Sequence, residues 1–509
     1  NYSSALEAKD KITKALKQRV ENAKTMGLCR MDVKAASLLP WPQCRVFPLG
    51  AVAKALEPEA MRPVSDHTKS GLKAATDRES LRHSLRTYEE IAECLRYGYS
   101  MRMMDVEGAF PLLPLAPCLW PFFMLWWFGV WEGSEAEMYL YVHLTADFGA
   151  AGVPGTWKIF FTDVIIGVAR SEEVITLPMP IYVDDCSMIG AVAGMVDAEG
   201  VRLRLWLTKM GIFMKELKER VASMLQLALG FWWDSIQRTR TLDSDKLTVY
   251  VSMIRDFAQR RSLSLREMQR ASGQMQRAAM TLPKGALCFL ASLFALMRGL
   301  SLPWQQRRTS KQMRADFTAM AELLDANHGR GYFCTDHMER APDVYTDASK
   351  EARYAGGGYF SMCGAFRHWR YGASASRNHI DALEGDAVLM AAADLGKSWR
   401  GKIVPLHIDN RAFQLSGRKG WSKAERLVKQ LRVLFWLAVK YDCVFEFEWI
   451  STHDNIYADA LSRPDGERRF HELVHRHMRW MVPKLTRHTS SGAVRQFGPE
   501  YPSDIEGDG

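Results

Sequence analysis

The sequence predicts a mixed α/β protein built from several domains. A chain of 509 residues corresponds to about three domains of ordinary size. Short apolar runs separated by Pro and Gly alternate through residues 40–235, which is typical of mixed helix and sheet. Residues 342–463 then give strands, a helix, a strand, a helix and a strand, which predicts a further mixed α/β domain.

The first segment, residues 4–26, has the pattern of an amphipathic surface helix. Apolar side chains recur at near-helical spacing among lysines, at Leu6, Ile12, Leu16 and Val20. We therefore expect a solvated helix that packs on a neighbouring domain through one side.

Residues 110–131 contain no charged side chain over 22 positions, which is long enough for a membrane-spanning helix. Four prolines interrupt the run, at Pro111, Pro114, Pro117 and Pro121. Each proline removes a backbone donor and disrupts helix geometry, so this segment could not satisfy its backbone in lipid. We predict buried strands here and no membrane partner.

From about 245 to 330 the pattern becomes helical and rich in arginine. The arginines are Arg255, Arg260, Arg261, Arg266, Arg270 and Arg277. A basic helical region could follow a phosphate backbone, although solvated helix faces have the same composition.

Charge and cysteine usage limit the setting in which the protein works. The 67 Lys and Arg against 58 Asp and Glu give a net charge of +9, a mild bias that suits phosphate-rich partners. The nine cysteines form no CxxC pair and no Cys/His zinc pattern, which favours a reducing, intracellular location. The chain begins at Asn1 without a signal sequence and ends in the acidic, Gly-rich segment 504–509, so we interpret it as part of a longer polyprotein.

A first group of acids has the pattern of a metal-dependent nucleotidyl-transfer site. Asp184 and Asp185, preceded by Tyr182, lie between the apolar runs ITLPMPI and CSMIGAV, which predicts a hairpin with two carboxylates at a tight turn. Asp105, 79 residues upstream, ends another predicted strand and offers a third ligand. Two Mg²⁺ ions need such carboxylates to hold nucleotide phosphates and activate a primer hydroxyl, with Mn²⁺ as an alternative.

A second group of acids lies in the C-terminal half, on separate predicted elements. Asp347 and Asp409 end strands, Glu384 lies on a helix, and Asp459 opens the run DALSR. Four acids that converge could hold two metal ions roughly 3.5 to 4 Å apart for phosphodiester hydrolysis. Taken singly, each has the context of an ordinary surface carboxylate.

Six motifs in order across residues 60–235 resemble those of the reverse transcriptases of retroviruses and retrotransposons. They are RPVSD at 62–66, DVEGAF at 105–110, FGAAGVP at 148–154, YVDD at 182–185, Gly211 with Lys218, and the primer-grip hairpin Leu229, Gly230 and Phe231. The resemblance implies a right-hand polymerase of fingers, palm and thumb, in which Asp105, Asp184 and Asp185 hold the metals. It implies nucleotide-binding positions at Arg62, Asp66, Phe110, Phe148, Gly149, Tyr182 and Lys218.

Phe110 falls at the steric-gate position of that family. A large ring there would collide with a ribose 2′-OH, so the expected product is DNA. Phe148 stands where the retroviral enzymes carry Gln, which points toward gypsy-like or DIRS-like retrotransposons. Lys73 stands near where the fingers motif usually ends in Asn, which leaves the fingers less well matched than the palm.

The second group of acids lies in motifs that resemble the ribonuclease H of the same retroelements. These are TDAS followed by Gly356, Gly357 and Gly358, the LE of the helix, Asp409 with Asn410, and Asn455 followed by ADALSR. The resemblance implies that Asp347, Glu384, Asp409 and Asp459 hold two metals. His453 lies closer to the last aspartate than the histidine of those enzymes, so we expect His453 and Asn455 to fix the loop instead.

The predicted order is an N-terminal helical extension (1–55), reverse transcriptase fingers and palm (56–240), a helical thumb or connection (241–340), a ribonuclease H-like mixed-sheet domain (341–465) and a basic tail (466–509). Expected partners are an RNA template, a DNA primer, their RNA–DNA hybrid and dNTPs, in a cytoplasmic particle or the nucleus. A dimer or further polyprotein segments are left open as partners.

Two rival interpretations remain from the sequence. A catalytically inactive nucleic-acid-binding scaffold could keep these folds, although all seven acids are present. The segment from His471 to His475 is a literal HExxH, which on a helix could bind zinc with Glu472 as the base of a metalloprotease. No convincing third ligand follows it, so we favour a basic helix there.

Overall fold

A computed structural model describes residues 1–30, 44–54, 57–77, 87–373 and 378–488. The chain divides into two compact units, Asn1–Leu229 and Gly230–Gly509. The finer five-part division stays a prediction, and the acidic segment 504–509 lies outside the described residues. Within the part of the chain that the structure describes, no helix is long and apolar enough to cross a membrane.

The first unit combines short helices with three antiparallel sheets. Its helices are α1 Ser3–Glu7, α2 Lys9–Glu21, α3 Leu72–Ala75, α4 Thr87–Cys94, α5 Val153–Trp157, α6 Ile166–Ser171 and α7 Ala193–Lys209, with a π-helical turn at Lys158–Ile165. Its strands are β1 Thr25–Arg30, β2 Leu49–Lys54, β3 Glu57–Ser65, β4 Ser100–Asp105, β5 Met124–Phe128, β6 Met138–His143, β7 Ile181–Tyr182, β8 Asp185–Gly190, β9 Arg220–Ser223 and β10 Leu225–Ala228. The sheets have the orders β1–β6–β5, β2–β3 and β7–β8–β4–β9.

The predicted N-terminal helix is present but broken and shorter. Ala8 leaves the helical conformation between α1 and α2, so Leu6 falls out of phase with the later apolar positions and is 48% exposed. Ile12 and Leu16 are buried as expected, in a core that includes Trp127. The prediction that Leu6 belongs to the packed side was therefore wrong.

The apolar run 110–131 contains one strand rather than several. Its prolines lie in or beside two 3₁₀ turns, Phe110–Leu112 and Pro117–Phe122, and only Met124–Phe128 is a strand. Proline cannot donate to a sheet ladder, and the pairing around Pro114 is limited to an isolated antiparallel bridge with Thr145. The expectation of buried strands is confirmed for β5 and wrong elsewhere.

Helix α7 covers one side of the sheet β7–β8–β4–β9. Val196, Leu203 and Leu207 are fully buried and share a core with Met188 on β8. This packing fixes the two central strands, β4 and β8, whose ends carry the first group of acids.

The second unit begins with two short strands, continues through four helices and ends in a large mixed sheet with its own helices. Its helices are α8 Ser244–Gln259, α9 Leu265–Ala279, α10 Ala291–Met297, α11 Lys311–Ala326, α12 Ile380–Leu395, α13 Arg411–Lys419, α14 Glu425–Tyr441, α15 Ile456–Ser462 and α16 Gly466–His477. Its strands are β11 Phe231–Asp234, β12 Thr239–Leu242, β13 Ser262–Ser264, β14 Gln306–Arg308, β15 Arg330–Tyr332, β16 Glu339–Arg340, β17 Val344–Glu351, β18 Tyr354–Ser361, β19 Ala365–Arg370, β20 Lys402–Ile408, β21 Val444–Trp449 and β22 Thr486–Arg487.

The helical region predicted at 245–330 is confirmed by α8 to α11. Helix α9 begins with a capping box in which Ser264 and Glu267 satisfy each other's backbone donors. Arg260 pairs with Glu267, whereas Arg261 and Arg270 are exposed. The exposed arginines keep the expectation of a phosphate contact open.

The mixed sheet has the order β21–β20–β17–β18–β19–β22. The two-residue strand β16 also pairs with β20, on the same side as β17. Strands β17, β18 and β19 are antiparallel, whereas β17, β20 and β21 are parallel. The predicted fold class, a mixed α/β multidomain protein, is confirmed. The sequence missed β19, whose apolar residues are interrupted by His368 and two arginines, and α13, which has only nine residues and contains Gly417.

Two of the three glycines at 356–358 allow α15 to lie directly on β18. A Cβ at Gly358 would come within 2.4 Å of the Leu461 side chain, and one at Gly356 within 2.3 Å of the Ser462 carbonyl oxygen. Only glycine permits this close approach. The glycines thus set the position of the helix that carries Asp459.

Candidate active sites: two carboxylate clusters

The predicted hairpin is present in the first unit and brings its acids together. Tyr182 pairs with Asp185 across β7 and β8, and Asp105 pairs with Asp185 across β4 and β8. One carboxylate oxygen from each of Asp105, Asp184 and Asp185 lies within 4.8 Å of the others. We call these three residues the palm cluster.

The turn that carries Asp184 is strained and held from two sides. Val183 has a φ of 56°, in the left-handed region that β-branched residues rarely adopt. The buried Trp157 donates its indole N–H to the Val183 carbonyl at 2.7 Å, and the Val106 N–H donates to the Asp184 carbonyl at 2.9 Å. These bonds fix the backbone on which the Asp184 carboxylate is mounted.

The electrostatics of the palm cluster favour a bound cation. Burial, with added repulsion from Asp184 and Asp105, raises the pKa of Asp185 to about 7. Burial and the Asp105 charge also raise the pKa of Asp184, while Lys218 and Arg62 oppose that rise. An oxygen-only set of repelling carboxylates fits the ligand preference of Mg²⁺.

Lys218 occupies the edge of the palm cluster. It ends a 3₁₀ turn, Glu216–Lys218, and its ammonium donates to the Asp105 carboxylate. Burial lowers the pKa of Lys218, but the hydrogen bond and charge of Asp105 outweigh this effect and raise it overall. The lysine is therefore a fixed positive charge beside the acids.

Two rings and a guanidinium lie together among the predicted nucleotide-binding residues. The Phe110 and Phe148 ring centroids are 4.8 Å apart, and the Arg62 guanidinium lies 5.2 Å from the Phe148 ring. Gly149, with a φ of 103°, follows in a conformation that favours glycine. The structure thus brings Arg62, Phe110 and Phe148 together, with the Phe110 ring buried beneath Phe148 and Arg62 exposed.

Asp66 and Tyr182 have other contacts within the protein. One Asp66 oxygen accepts the Tyr2 hydroxyl at 2.5 Å, and the other accepts the backbone N–H groups of Thr68 and Lys69. The Tyr182 ring lies 6.3 Å from the Tyr88 ring. For both residues, nucleotide contact stays a prediction.

The predicted primer grip forms a tight turn at the chain position where the first unit ends and the second begins. Leu229 and Gly230 both have positive φ, 51° and 78°, as in a type I′ turn. Phe231 is fully buried, and the Arg277 guanidinium lies 5.1 Å from its ring. A contact of this turn with a primer stays a prediction.

The second unit also brings three acids together, which we call the nuclease cluster. Thr346 pairs with Ile408, so Asp347 and Asp409 take neighbouring positions on parallel strands, and α12 adds Glu384. One oxygen from each acid lies within 4.8 Å of the others. They line a cavity of about 700 Å³.

The nuclease cluster is largely buried, and some of its carboxylate oxygens lack hydrogen-bond partners. Asp347, Glu384 and Asp409 each have one buried oxygen without a hydrogen-bond partner among the described residues. Burial, with repulsion from Asp409, raises the pKa of Asp347 to about 8, and burial and Asp347 raise that of Glu384. Burial also raises the pKa of Asp409. Divalent cations would satisfy these oxygens and compensate the charge.

Asp459, the fourth predicted ligand, lines the same cavity but stands apart from the cluster. Arg463 binds its carboxylate at 2.6 Å, one helical turn further along the chain. Sequence reasoning missed this partner, although the i,i+4 spacing of an acid and an arginine was a visible signal. A metal-ligating role for Asp459 stays a prediction.

The loop before α15 supports the nuclease cluster. Asn455 is buried and donates to the Thr346 carbonyl at 3.0 Å, beside Asp347, so the expectation that Asn455 fixes the loop is confirmed. His453 is exposed. Thr452, which the sequence did not single out, donates to the Asp409 carboxylate at 3.1 Å.

The HExxH segment forms part of helix α16, as the basic-helix interpretation expected. His471 and His475 are exposed, and Glu472 pairs with Arg468 at 3.3 Å. Among the described residues, the palm and nuclease clusters are the groups that bring three metal-ligating side chains together.

The sequence matches no protein-family model and no curated protein. Solved structures of similar fold are foamy viral protease-reverse transcriptases. A complex of the dRH form with double-stranded DNA has 13% identity and a TM-score of 0.47, over 87% of this chain and 70% of that chain. A complex with RNA/DNA hybrid has 15% identity and a TM-score of 0.46, over 89% of this chain and 54% of that chain. A complex with double-stranded DNA has 14% identity and a TM-score of 0.45, over 89% and 84%. This similarity concerns the fold alone.

Proposed function

We propose that the protein is an RNA-directed DNA polymerase with ribonuclease H activity. The observation that supports this most is the pair of partly buried, oxygen-only clusters of three carboxylates, one in each unit. Two such centres suit two phosphoryl-transfer reactions, one building and one breaking a phosphodiester. The motif resemblance favours a retrotransposon origin, gypsy-like or DIRS-like.

In the first reaction, the primer 3′-oxygen attacks the α-phosphate of a dNTP and pyrophosphate leaves. Divalent ions, when bound by Asp105, Asp184 and Asp185, supply Lewis acidity for this step. Arg62 and Lys218 offset the negative charge of the triphosphate. Phe110 limits the space beside the sugar, so deoxyribose is accepted and ribose is rejected.

In the second reaction, water hydrolyses the RNA strand of the hybrid that the first reaction leaves. Asp347, Glu384 and Asp409 hold the ions, and Asp459 is proposed to approach them once released from Arg463. Thr452 keeps the Asp409 carboxylate oriented. Exposed arginines of α8 and α9 contribute sequence-independent contacts to phosphates.

The decisive test is primer extension on an RNA template with dNTPs and Mg²⁺, with the template labelled so that its cleavage is followed in parallel. We expect full-length DNA and shortened RNA, both lost in EDTA and restored by Mg²⁺ or Mn²⁺. Tight hybrid binding with neither extension nor cleavage in either metal would contradict the proposal. That outcome would favour the catalytically inactive scaffold.

Replacing Phe110 by Val is expected to relax sugar selectivity. The Phe110 ring packs on Phe148, and its truncation opens space beside the sugar. The preference for dNTP over rNTP should fall by roughly 10²-fold, because a steric exclusion worth about 3 kcal/mol is removed. Single-nucleotide incorporation measures this ratio, with Phe160→Val as a control in the same core. Unchanged selectivity would remove Phe110 from the sugar site.

A further inference from the structure

A buried polar network lies next to the group formed by Arg62, Phe110 and Phe148. Its centre is Asp147, which is 5% exposed and lies directly before Phe148. The Asp147 carboxylate accepts the Ser65 hydroxyl on one oxygen and the Phe148 backbone N–H, at 2.8 Å, on the other. Ser65 lies at the end of β3, the strand that carries Arg62.

The loop and the strand are also in direct contact. A Cβ at Gly149 would come within 2.5 Å of the Ser65 carbonyl oxygen, so the loop has no room to move toward β3. The buried His67 ring lies on the same side, where its Cδ2 would be 3.5 Å from that Cβ. Backbone contact and the Asp147 carboxylate therefore connect the same two segments.

A chain of hydrogen-bonding groups extends the network to the N-terminal helix. His143 Nε2 lies 3.5 Å from Asp147, and His143 Nδ1 lies 2.7 Å from the Thr25 hydroxyl, which accepts from Arg19. Burial lowers the pKa of His143 to about 3, so its ring is neutral. A neutral imidazole can accept at Nδ1 and direct its one N–H at Asp147.

These contacts determine where Phe148 lies. Asp147 holds the backbone of Phe148 through one oxygen and the strand of Arg62 through the other. The Phe148 ring in turn lies 4.8 Å from the Phe110 ring and 5.2 Å from the Arg62 guanidinium. One carboxylate thus controls the spacing of three residues assigned to the nucleotide.

We propose that Asp147 and Ser65 are positioning residues that set the selectivity of the polymerase site for deoxyribonucleotides. This inference rests on the proposed function. The network keeps Phe148 against Phe110, so that neither ring can retreat from a ribose 2′-OH. Loss of the network should let the rings separate and admit the hydroxyl.

The test compares Ser65→Ala, Asp147→Ala and Asp147→Asn with the wild-type chain. We measure KM and kcat for dNTP and rNTP incorporation, and equilibrium binding of both nucleotides to the primer–template complex in Ca²⁺. For Ser65→Ala we expect KM for dNTP to rise and selectivity to fall, each roughly tenfold, with a smaller change in kcat. Asp147→Ala should change KM and selectivity more than Ser65→Ala does. Asp147→Asn should be milder, because the amide can still accept from Phe148 and donate to Ser65.

Controls separate positioning from folding. Thr156→Ala removes an exposed hydroxyl on nearby α5 that bonds only within its own turn and should leave every value unchanged. Ribonuclease H activity of each preparation reports on the folding of the other unit, and the melting temperature on the whole chain.

Two results would overturn the inference in different ways. Variants that melt earlier but keep wild-type KM, nucleotide binding and selectivity would show that the network serves stability alone. A wild-type chain that neither extends a primer nor binds dNTP more tightly than rNTP would remove the inference together with the proposed function.

Discussion

The Asp347→Asn variant is expected to lose cleavage of the RNA strand while its metal-free form becomes more stable. If Asp347 holds the ions as proposed, its neutralisation should slow hydrolysis by roughly 10³-fold or more, since bound metals contribute several kcal/mol to such steps. DNA synthesis, which we propose to take place at the palm cluster, should persist. Labelled-hybrid cleavage and primer extension on one preparation measure both.

The gain in stability follows from the raised pKa of Asp347. The folded state keeps a proton to about pH 8, whereas the unfolded chain releases it near pH 4. Between these values the folded state binds more protons, so the free energy of unfolding falls as pH rises and levels above pH 8. Asparagine cannot ionise, so the variant avoids this fall in the free energy of unfolding, which by pH 8 is on the order of a few kcal/mol.

Thermal unfolding in EDTA from pH 5 to pH 8.5 checks this expectation. The wild-type melting temperature should fall across the range, and that of Asp347→Asn should fall less. Asp465→Asn, an exposed acid paired with Arg468, is the matched control and should follow the wild type. A variant that melts at or below the wild-type temperature throughout would contradict the electrostatic account of the nuclease cluster.

The Asp184→Asn variant should show the converse separation of activities. With one ligand of the palm cluster neutralised, incorporation of dNTPs is expected to fall by roughly 10³-fold or more, whereas hybrid cleavage continues. Single-turnover incorporation and cleavage assays distinguish the two. Asp163→Asn, an exposed acid paired with Lys158 at 2.9 Å, should retain both activities. Robust synthesis by Asp184→Asn would exclude the palm cluster as the polymerase centre.

The sequence located both clusters because acids at strand ends can be recognised without coordinates. Asp105 and Asp409 each come at the end of an apolar strand, and the hairpin turn follows from the runs on either side of Asp184. Strand order places such ends together. Six of the seven predicted acids consequently fall into the two clusters.

Contacts made by side chains across the fold could not be predicted. The hydrogen bond between Ser65 and Asp147 joins residues 82 positions apart in the sequence, and the hydrogen bond between Lys218 and Asp105 joins residues 113 positions apart. Strand β19 was missed because Arg367, His368 and Arg370 interrupt its apolar residues, and the burial of Arg367 depends on its pairing with the distant Asp394.

In the hairpin formed by β7 and β8, the backbone conformation of Val183 lowers stability while it restrains the turn that carries Asp184. A β-branched residue in the left-handed region costs on the order of 1 to 3 kcal/mol, and glycine at this position would relieve that cost. Glycine would also free the backbone beside Asp184, which the Trp157 N–H and the strained φ now hold in one orientation. Selection for stability alone would therefore remove the valine, whereas selection for catalysis would retain it, together with the tryptophan that restrains its carbonyl.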